Sequence, residues 1–208
     1  IMYLHIRHYT TDGSEPTATS PLYEKIVPVK EALTLKGATF AYGRQMGKTL
    51  ILPVRWNLAT AKPVLGTNPT EKLLTNGIRG SLKYSDFEWC SWADNDSVSF
   101  TIDLLKPEML NTLTLGCITN NGMAIHKPAS VRVEVSDDNS KFREAVVQSF
   151  TSEEIFREGN FIENLSLKLG GTQARYVRVT AKGPGVCPAS HVRPGQTSRI
   201  FFDEVMLE

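Results

Sequence analysis

From Val98 to Leu104 apolar and polar residues alternate without a break, with Val98, Phe100, Ile102 and Leu104 set between Ser99, Thr101 and Asp103. A two-residue period puts every second side chain on one face of an extended strand, so such a run buries one face and wets the other. The pattern returns in Leu113, Leu115 and Cys117, in Val131, Val133 and Val135, in Leu165, Leu167 and Leu169, and in Val177, Val179 and Ala181. Turn-forming stretches such as Ser136-Asp137-Asp138-Asn139-Ser140 separate the runs. Several short alternating strands spaced in this way predict an all-β antiparallel sandwich rather than βαβ units. Helix is expected for one turn near 70–75 and one near 152–157.

A strand-like stretch, Thr49-Leu-Ile-Leu-Pro-Val-Arg55, gives way to Asn57-Leu-Ala-Thr-Ala-Lys-Pro63, and Pro53 suits an edge strand or a terminus. This places a domain boundary there and splits the chain into residues 1–56 and 57–208. The first part is small for a sandwich and is expected to lack a strand that upstream sequence supplies. The opening Ile-Met-Tyr-Leu-His-Ile-Arg accordingly reads as the start of a piece cut from a longer protein. Basic and acidic residues nearly cancel, 23 against 22, so no net field draws the chain to a phosphate backbone, and a general nucleic-acid binder is excluded. No apolar run approaches the roughly 20 residues of a membrane helix. At 208 residues the chain is also shorter than the about 250 of a complete TIM-barrel enzyme.

Two resemblances follow from particular motifs. Tyr9-Thr-Thr-Asp-Gly-Ser-Glu-Pro-Thr17 followed by Ser20-Pro-Leu-Tyr23 resembles the small β-domain at the C-terminus of chitobiases and bacterial β-hexosaminidases. In the second part, Asn57-Leu-Ala-Thr-Ala-Lys-Pro63, Leu74-Thr-Asn-Gly-Ile-Arg-Gly-Ser81, Lys127-Pro128 leading to Val133-Glu-Val-Ser-Asp-Asp138, and Ala174-Arg-Tyr-Val-Arg-Val179 with Phe202-Asp-Glu-Val-Met-Leu207 together resemble a discoidin-like, coagulation factor V/VIII type C module. Such modules are also called family 32 carbohydrate-binding modules and have a galactose-binding-like fold. Their order here is similar to the C-terminal region of family 20 glycoside hydrolases. The resemblance implies a small immunoglobulin-like β-domain followed by a jelly-roll β-sandwich. It also implies a structural calcium, sugar binding at loops on one edge, a catalytic domain elsewhere in the full-length protein, and export to the periplasm or cell surface.

Calcium takes six to eight oxygens, with at least one carboxylate. By resemblance Asn76 and Ser81 supply side-chain and main-chain oxygens and Glu204 the carboxylate; Val205 and Leu207 facing one way turn Glu204 to the other. The family usually carries Asp-Gly where this chain has Asn76-Gly77, which removes a charge and lowers the expected affinity. Sugar sites use aromatic faces with amides, arginines and histidines around them. Trp89, Trp92, Tyr84 and Phe87 lie in one loop-like segment and are the aromatic candidates, with Trp89 the more suited to the core and Trp92 to ligand contact. Asn120, Asn121 and His126 in a second connection and His191 and Arg193 in a third are the polar ones. The expected ligand is an N-acetylglucosamine- or galactose-containing glycan.

Catalysis finds no support in the sequence. Asp203 and Glu204 are adjacent in a strand and so point to opposite faces, unlike an acid pair flanking one bond. Asp94, Asp96, Asp137 and Asp138 read as turn residues, and His5 and His8, three apart in a strand, lie on opposite faces. Cys187 with His191 offers two zinc ligands where a structural site needs four. Of three cysteines, Cys117 continues a buried alternation, while Cys90 and Cys187 lie in loops and pair only if those loops meet. The reading is a non-catalytic, glycan-binding region appended to an exported β-N-acetylhexosaminidase. Its rivals are a purely structural module packed on the catalytic barrel and a protein-adhesion module.

Overall fold

The structure is a computed structural model that describes residues 6–25, 27–92 and 97–208. His5, Asp94 and Asp96 lie outside the described residues. The chain divides into two compact units, Ile1–Trp56 and Asn57–Glu208.

In the first unit, β1 (Ile6–Thr10), β2 (Leu33–Ala41) and β3 (Arg44–Val54) form an antiparallel sheet in the order β1-β2-β3. Tyr42 and Gly43 join β2 to β3 with φ of 51° and 72°, the pair of left-handed residues that a tight hairpin matching the strand twist requires. Asp12 accepts the amide N–H of Ser14 at 3.0 Å, an Asx turn at the Asp12-Gly13 pair. His8, Ala38 and Phe40 form the small interior, with the His8 ring edge-on to Phe40 at 5.4 Å.

The second unit carries the main core. Its strands are β4 (Val64–Leu65), β5 (Cys90–Trp92), β6 (Ser97–Asn120), β7 (Ser130–Ser136), β8 (Arg143–Ser149), β9 (Asn160–Lys182) and β10 (Ile200–Leu207). They hydrogen-bond in the order β5-β10-β6-β9-β7-β8, with β4 on β6 and every pairing antiparallel. The alternating runs around Val98 and Leu113 are two halves of one 24-residue strand, and those around Leu165 and Val177 two halves of another of 23. Both long strands are interrupted at the same level, where the β6–β9 register shifts between Asp103 and Glu108 and again between Leu110 and Thr112. Leu105 at φ 71° and Gly170-Gly171 at 65° and 76° make the bends, glycine supplying the left-handed backbone without steric penalty.

Either side of the bends the long strands have different neighbours. The Tyr176–Lys182 half of β9 pairs with β7, whereas the Leu113–Cys117 stretch of β6 pairs with β10. The sheet thereby folds into the two layers of a β-sandwich. Val98, Phe100, Ile102, Val131, Val133, Val177 and Val179 from one layer meet Leu113, Leu115, Leu165, Leu167, Phe202, Val205 and Leu207 from the other in one buried cluster.

Helix is minor, as expected: a 3-10 turn at Glu71–Thr75, another at Asn121–Met123, and α1 (Ser152–Ile155). Thr151 caps α1, its hydroxyl accepting the Glu154 amide while the Glu154 carboxylate accepts the Thr151 amide, a complete capping box. Among the described residues no helix is long and apolar enough to cross a membrane.

Candidate functional site

Strand β10 opposes Cys117 with Phe202 but Leu115 with Val205, so it carries one extra residue between those pairs. This bulge resets the alternation: Phe202 and Val205, three apart, both enter the core, and Asp203 and Glu204 are both turned to the 77–80 segment. The expectation that adjacent strand carboxylates face opposite ways fails here because period 2 holds only where no residue is inserted. Both side chains are fully buried. Asp203 Oδ2 accepts Arg79 Nε–H at 2.7 Å and the Gly80 amide at 2.8 Å, while Oδ1 accepts the Glu204 amide at 2.7 Å. Gly116 on β6 leaves room for this pair; a Cβ there would stand 2.0 Å from Asp203 Oδ1 and 2.4 Å from Arg79 Nη2.

Glu204 Oε2 accepts the Gly77 amide at 3.0 Å, and Oε1 is buried without any partner. Burial, with the Asp203 charge adding to it, pushes the Glu204 carboxyl up to about 9. The orphaned buried Oε1 is one hard oxygen of the kind a cation takes, while the loop turns the Gly77 amide N–H toward the other oxygen. Asn76 is half-buried and its Oδ1 accepts the Ile78 amide at 2.8 Å. Ser81 is exposed; its hydroxyl donates to Asp86, and its carbonyl accepts Trp89 Nε1–H at 3.1 Å.

The aromatic candidates separate sharply. Trp92 is not a loop residue but the end of β5, a strand too short for alternation to reveal, and it is buried between Phe100 (stacked, 6.2 Å) and Phe202 (edge-on, 5.6 Å). Its faces are occupied by protein, which corrects the expectation of ligand contact. Trp89 is buried as expected, in a second cluster with Ile118, Ile125 and Phe201, and Gly80 lies directly against its indole. Tyr84 covers that cluster half-exposed, edge-on to Phe201 at 6.2 Å, and Phe87 is 92% exposed.

Among the polar candidates, Asn120 is half-exposed and closes the 120–125 turn through reciprocal main-chain bonds with Ile125 at 2.8 and 3.1 Å. Asn121 is buried, its amide group placed to donate to the carbonyls of Arg157 at 3.0 Å and Gly159 at 3.2 Å. His126 and His191 are buried at 0% and 8% exposure, so neither presents a ring to solvent, a second correction. Instead they meet, Nε2 to Nε2 at 3.1 Å, with Phe156 edge-on to both rings. The Arg193 amide donates to His191 Nδ1 at 3.0 Å, which puts the His191 proton on Nε2 and makes His126 Nε2 the acceptor. His126 Nδ1–H then donates to Ser198 Oγ at 3.1 Å, and Ser198 Oγ reaches Cys187 Sγ at 3.5 Å. Burial, reinforced by His191, lowers the His126 pKa to about 4, so the ring is neutral near pH 7. The Arg193 side chain is exposed beside them.

Sequence reasoning missed Arg199, whose Nη2 donates to the Met123 carbonyl at 2.9 Å and whose Nε is buried without a partner, close to the Phe201 ring. A lone arginine before a strand carries no signal of that role. All three cysteines are free and buried; Cys90 does not pair with Cys187, its Sγ accepting the Thr70 hydroxyl at 3.2 Å and its thiol pushed by burial up to about 12.

The family description "F5/8 type C domain" matches residues 59–192, and "Chitobiase/beta-hexosaminidase C-terminal domain" matches residues 6–50. No curated protein matches the chain. Similar solved structures include CpGH89CBM32-6 of Clostridium perfringens, at 18% identity over 74% of this chain and 98% of that one, with a TM-score of 0.49. A fucose binding module of Streptococcus pneumoniae is 18% identical over 74% of this chain and 97% of that one, with a TM-score of 0.44. The C-terminal domain of a chitobiase from Bacteroides fragilis is 18% identical over 66% of this chain and 78% of that one, with a TM-score of 0.40. With a family match spanning well over half its length and laid on a bent-strand β-sandwich, the chain belongs to the F5/8 type C domain family.

Proposed function

We propose that the chain is a non-catalytic, glycan-binding region of an exported β-N-acetylhexosaminidase. The observation that carries this reading is the succession, in one chain, of a match to the chitobiase/beta-hexosaminidase C-terminal domain and a match to the F5/8 type C domain. A weak sugar contact tethered to a catalytic domain raises the local concentration of substrate and adds avidity without new chemistry. The surface that supports binding is the cover of the second aromatic cluster. There the half-exposed Tyr84 ring offers an apolar edge and the half-exposed Asn120 an amide for sugar hydroxyls.

Calcium belongs to the same reading. Glu204 Oε1 would hold the ion, with oxygens of the 76–81 loop completing its shell, and the ion's role would be to fix that loop against β10. The deciding experiment is calorimetric titration of the chain with N-acetylglucosamine, N-acetylgalactosamine and galactose oligosaccharides. Saturable heat that falls in Tyr84→Ala while that variant stays folded at the assay temperature supports the proposal. A flat response to every sugar favours a structural module packed on the catalytic domain.

A further inference from the structure

We infer that His126, Cys187 and His191 form a three-ligand site for a zinc-class ion that pins the 183–198 loop to the 121–126 turn. One ligand atom from each of the three residues lies within 4.8 Å of the other two, and all three residues are buried. Cys187 and His191 alone fall short of a site; the fold supplies His126 from a turn far away in sequence. The two Nε2 atoms stand 3.1 Å apart. Two nitrogens bound at about 2.0–2.1 Å to one tetrahedral ion sit roughly 3.3 Å apart, so the histidines need move only slightly to share it.

The surroundings suit a ligand set. Ser198 Oγ holds His126 Nδ1–H, which fixes the tautomer that leaves His126 Nε2 free to bind, and the same hydroxyl touches Cys187 Sγ. Phe156 covers both rings. The loop is closed on itself by Cys187 N–H to Gln196 O at 2.9 Å and Gly195 N–H to Cys187 O at 3.0 Å, while residues 192–197 are exposed and give an ion its way in. Two imidazoles and a thiolate select zinc or cobalt over calcium or magnesium, and three protein ligands leave a fourth position for water.

Uptake releases the Cys187 thiol proton to solvent and moves the His191 ring proton from Nε2 to Nδ1. The Arg193 amide, which now donates to Nδ1, must then let go; it lies in the exposed part of the loop, where that is easily done. Without the ion the His191–His126–Ser198 chain satisfies its own hydrogen bonds, so the fold stands and metal adds to its stability.

The test is cobalt titration of the chelator-treated chain in excess calcium. The expected result is a one-to-one thiolate-to-cobalt charge-transfer absorption with tetrahedral ligand-field bands, displaced by zinc. Cys187→Ser should abolish the charge-transfer band, Cys90→Ser should leave it, and His126→Gln should weaken zinc binding about a hundredfold or more. Zinc should also shift the Arg193 amide resonance. A folded wild-type chain that gives no charge-transfer band overturns the assignment, whatever the variants do, and so does a band that survives Cys187→Ser. Sugar titration reads neither of these signals, so failure here is distinct from failure of the glycan reading.

Discussion

Gly116→Ala is the sharpest test of the buried ion pair behind β10. The added Cβ would stand 2.0 Å from Asp203 Oδ1 and 2.4 Å from Arg79 Nη2, far inside ordinary contact. The backbone cannot yield easily, because Gly116 is paired with Asn164 in β9 and its neighbours Leu115 and Cys117 with β10. If the pair merely shifts, overpacking costs about 1–3 kcal/mol; if Arg79 and Asp203 separate, a fully buried carboxylate loses its cation at about 3–5 kcal/mol. We take about 3 kcal/mol. At roughly 2–4 °C per kcal/mol for a domain of this size, the second unit should melt roughly 6–12 °C lower. Trp89 and Trp92 lie inside that unit, so fluorescence-detected unfolding follows it. Gly122→Ala is the control, since its Cβ would meet only Asn120 Oδ1 at 3.5 Å, and it should change stability by less than about 1 kcal/mol. Gly116→Ala should also cost less in an Arg79→Ala background, because the two changes act on one contact. A loss below about 1 kcal/mol, or strict additivity with Arg79→Ala, would refute the reasoning.

Three further outcomes follow. Glu204 is raised to about 9 in the fold against an ordinary 4.5, so its contribution is fully present below pH 4.5 and is lost as pH climbs towards 9. At pH 7 that loss is about 3 kcal/mol, taking 1.36 kcal/mol per unit. Melts in chelator from pH 5 to 9 should show it, Glu204→Gln should flatten the slope and calcium should restore the wild type; equal slopes in both proteins would contradict it. Trp92→Ala should cost about 3–5 kcal/mol through the cavity it leaves between Phe100 and Phe202, whereas Tyr84→Ala, at a half-exposed ring, should lower the melting temperature less and weaken sugar binding. Thr151→Ala removes the cap of α1 and should cost about 1 kcal/mol, seen in denaturant unfolding, with faster amide exchange at Ile155 and Phe156, whose N–H groups bond back to Thr151 and Ser152.

The alternation of Val98 to Leu104, Val131 to Val135 and Val177 to Ala181 by itself determined that this chain folds as antiparallel β-layers, because period 2 is a local property that needs no partner to be read. The motifs around Leu74-Thr-Asn-Gly and Phe202-Asp-Glu-Val pointed to the same sandwich, and Trp89 and Cys117 went to the core as their settings implied. Only the tertiary structure decided the rest. A single inserted residue in β10 set both Asp203 and Glu204 against one loop, and a bulge leaves no mark in composition or period. Trp92 became a core residue because a three-residue strand is too short to show its phase. His126 met His191 and Cys187 because β10 returns to the 121–126 turn, Arg199 bonding to both Ala124 and His126 through its main chain. Which side chains share a site depends on contacts between segments distant in sequence, and no local pattern encodes those.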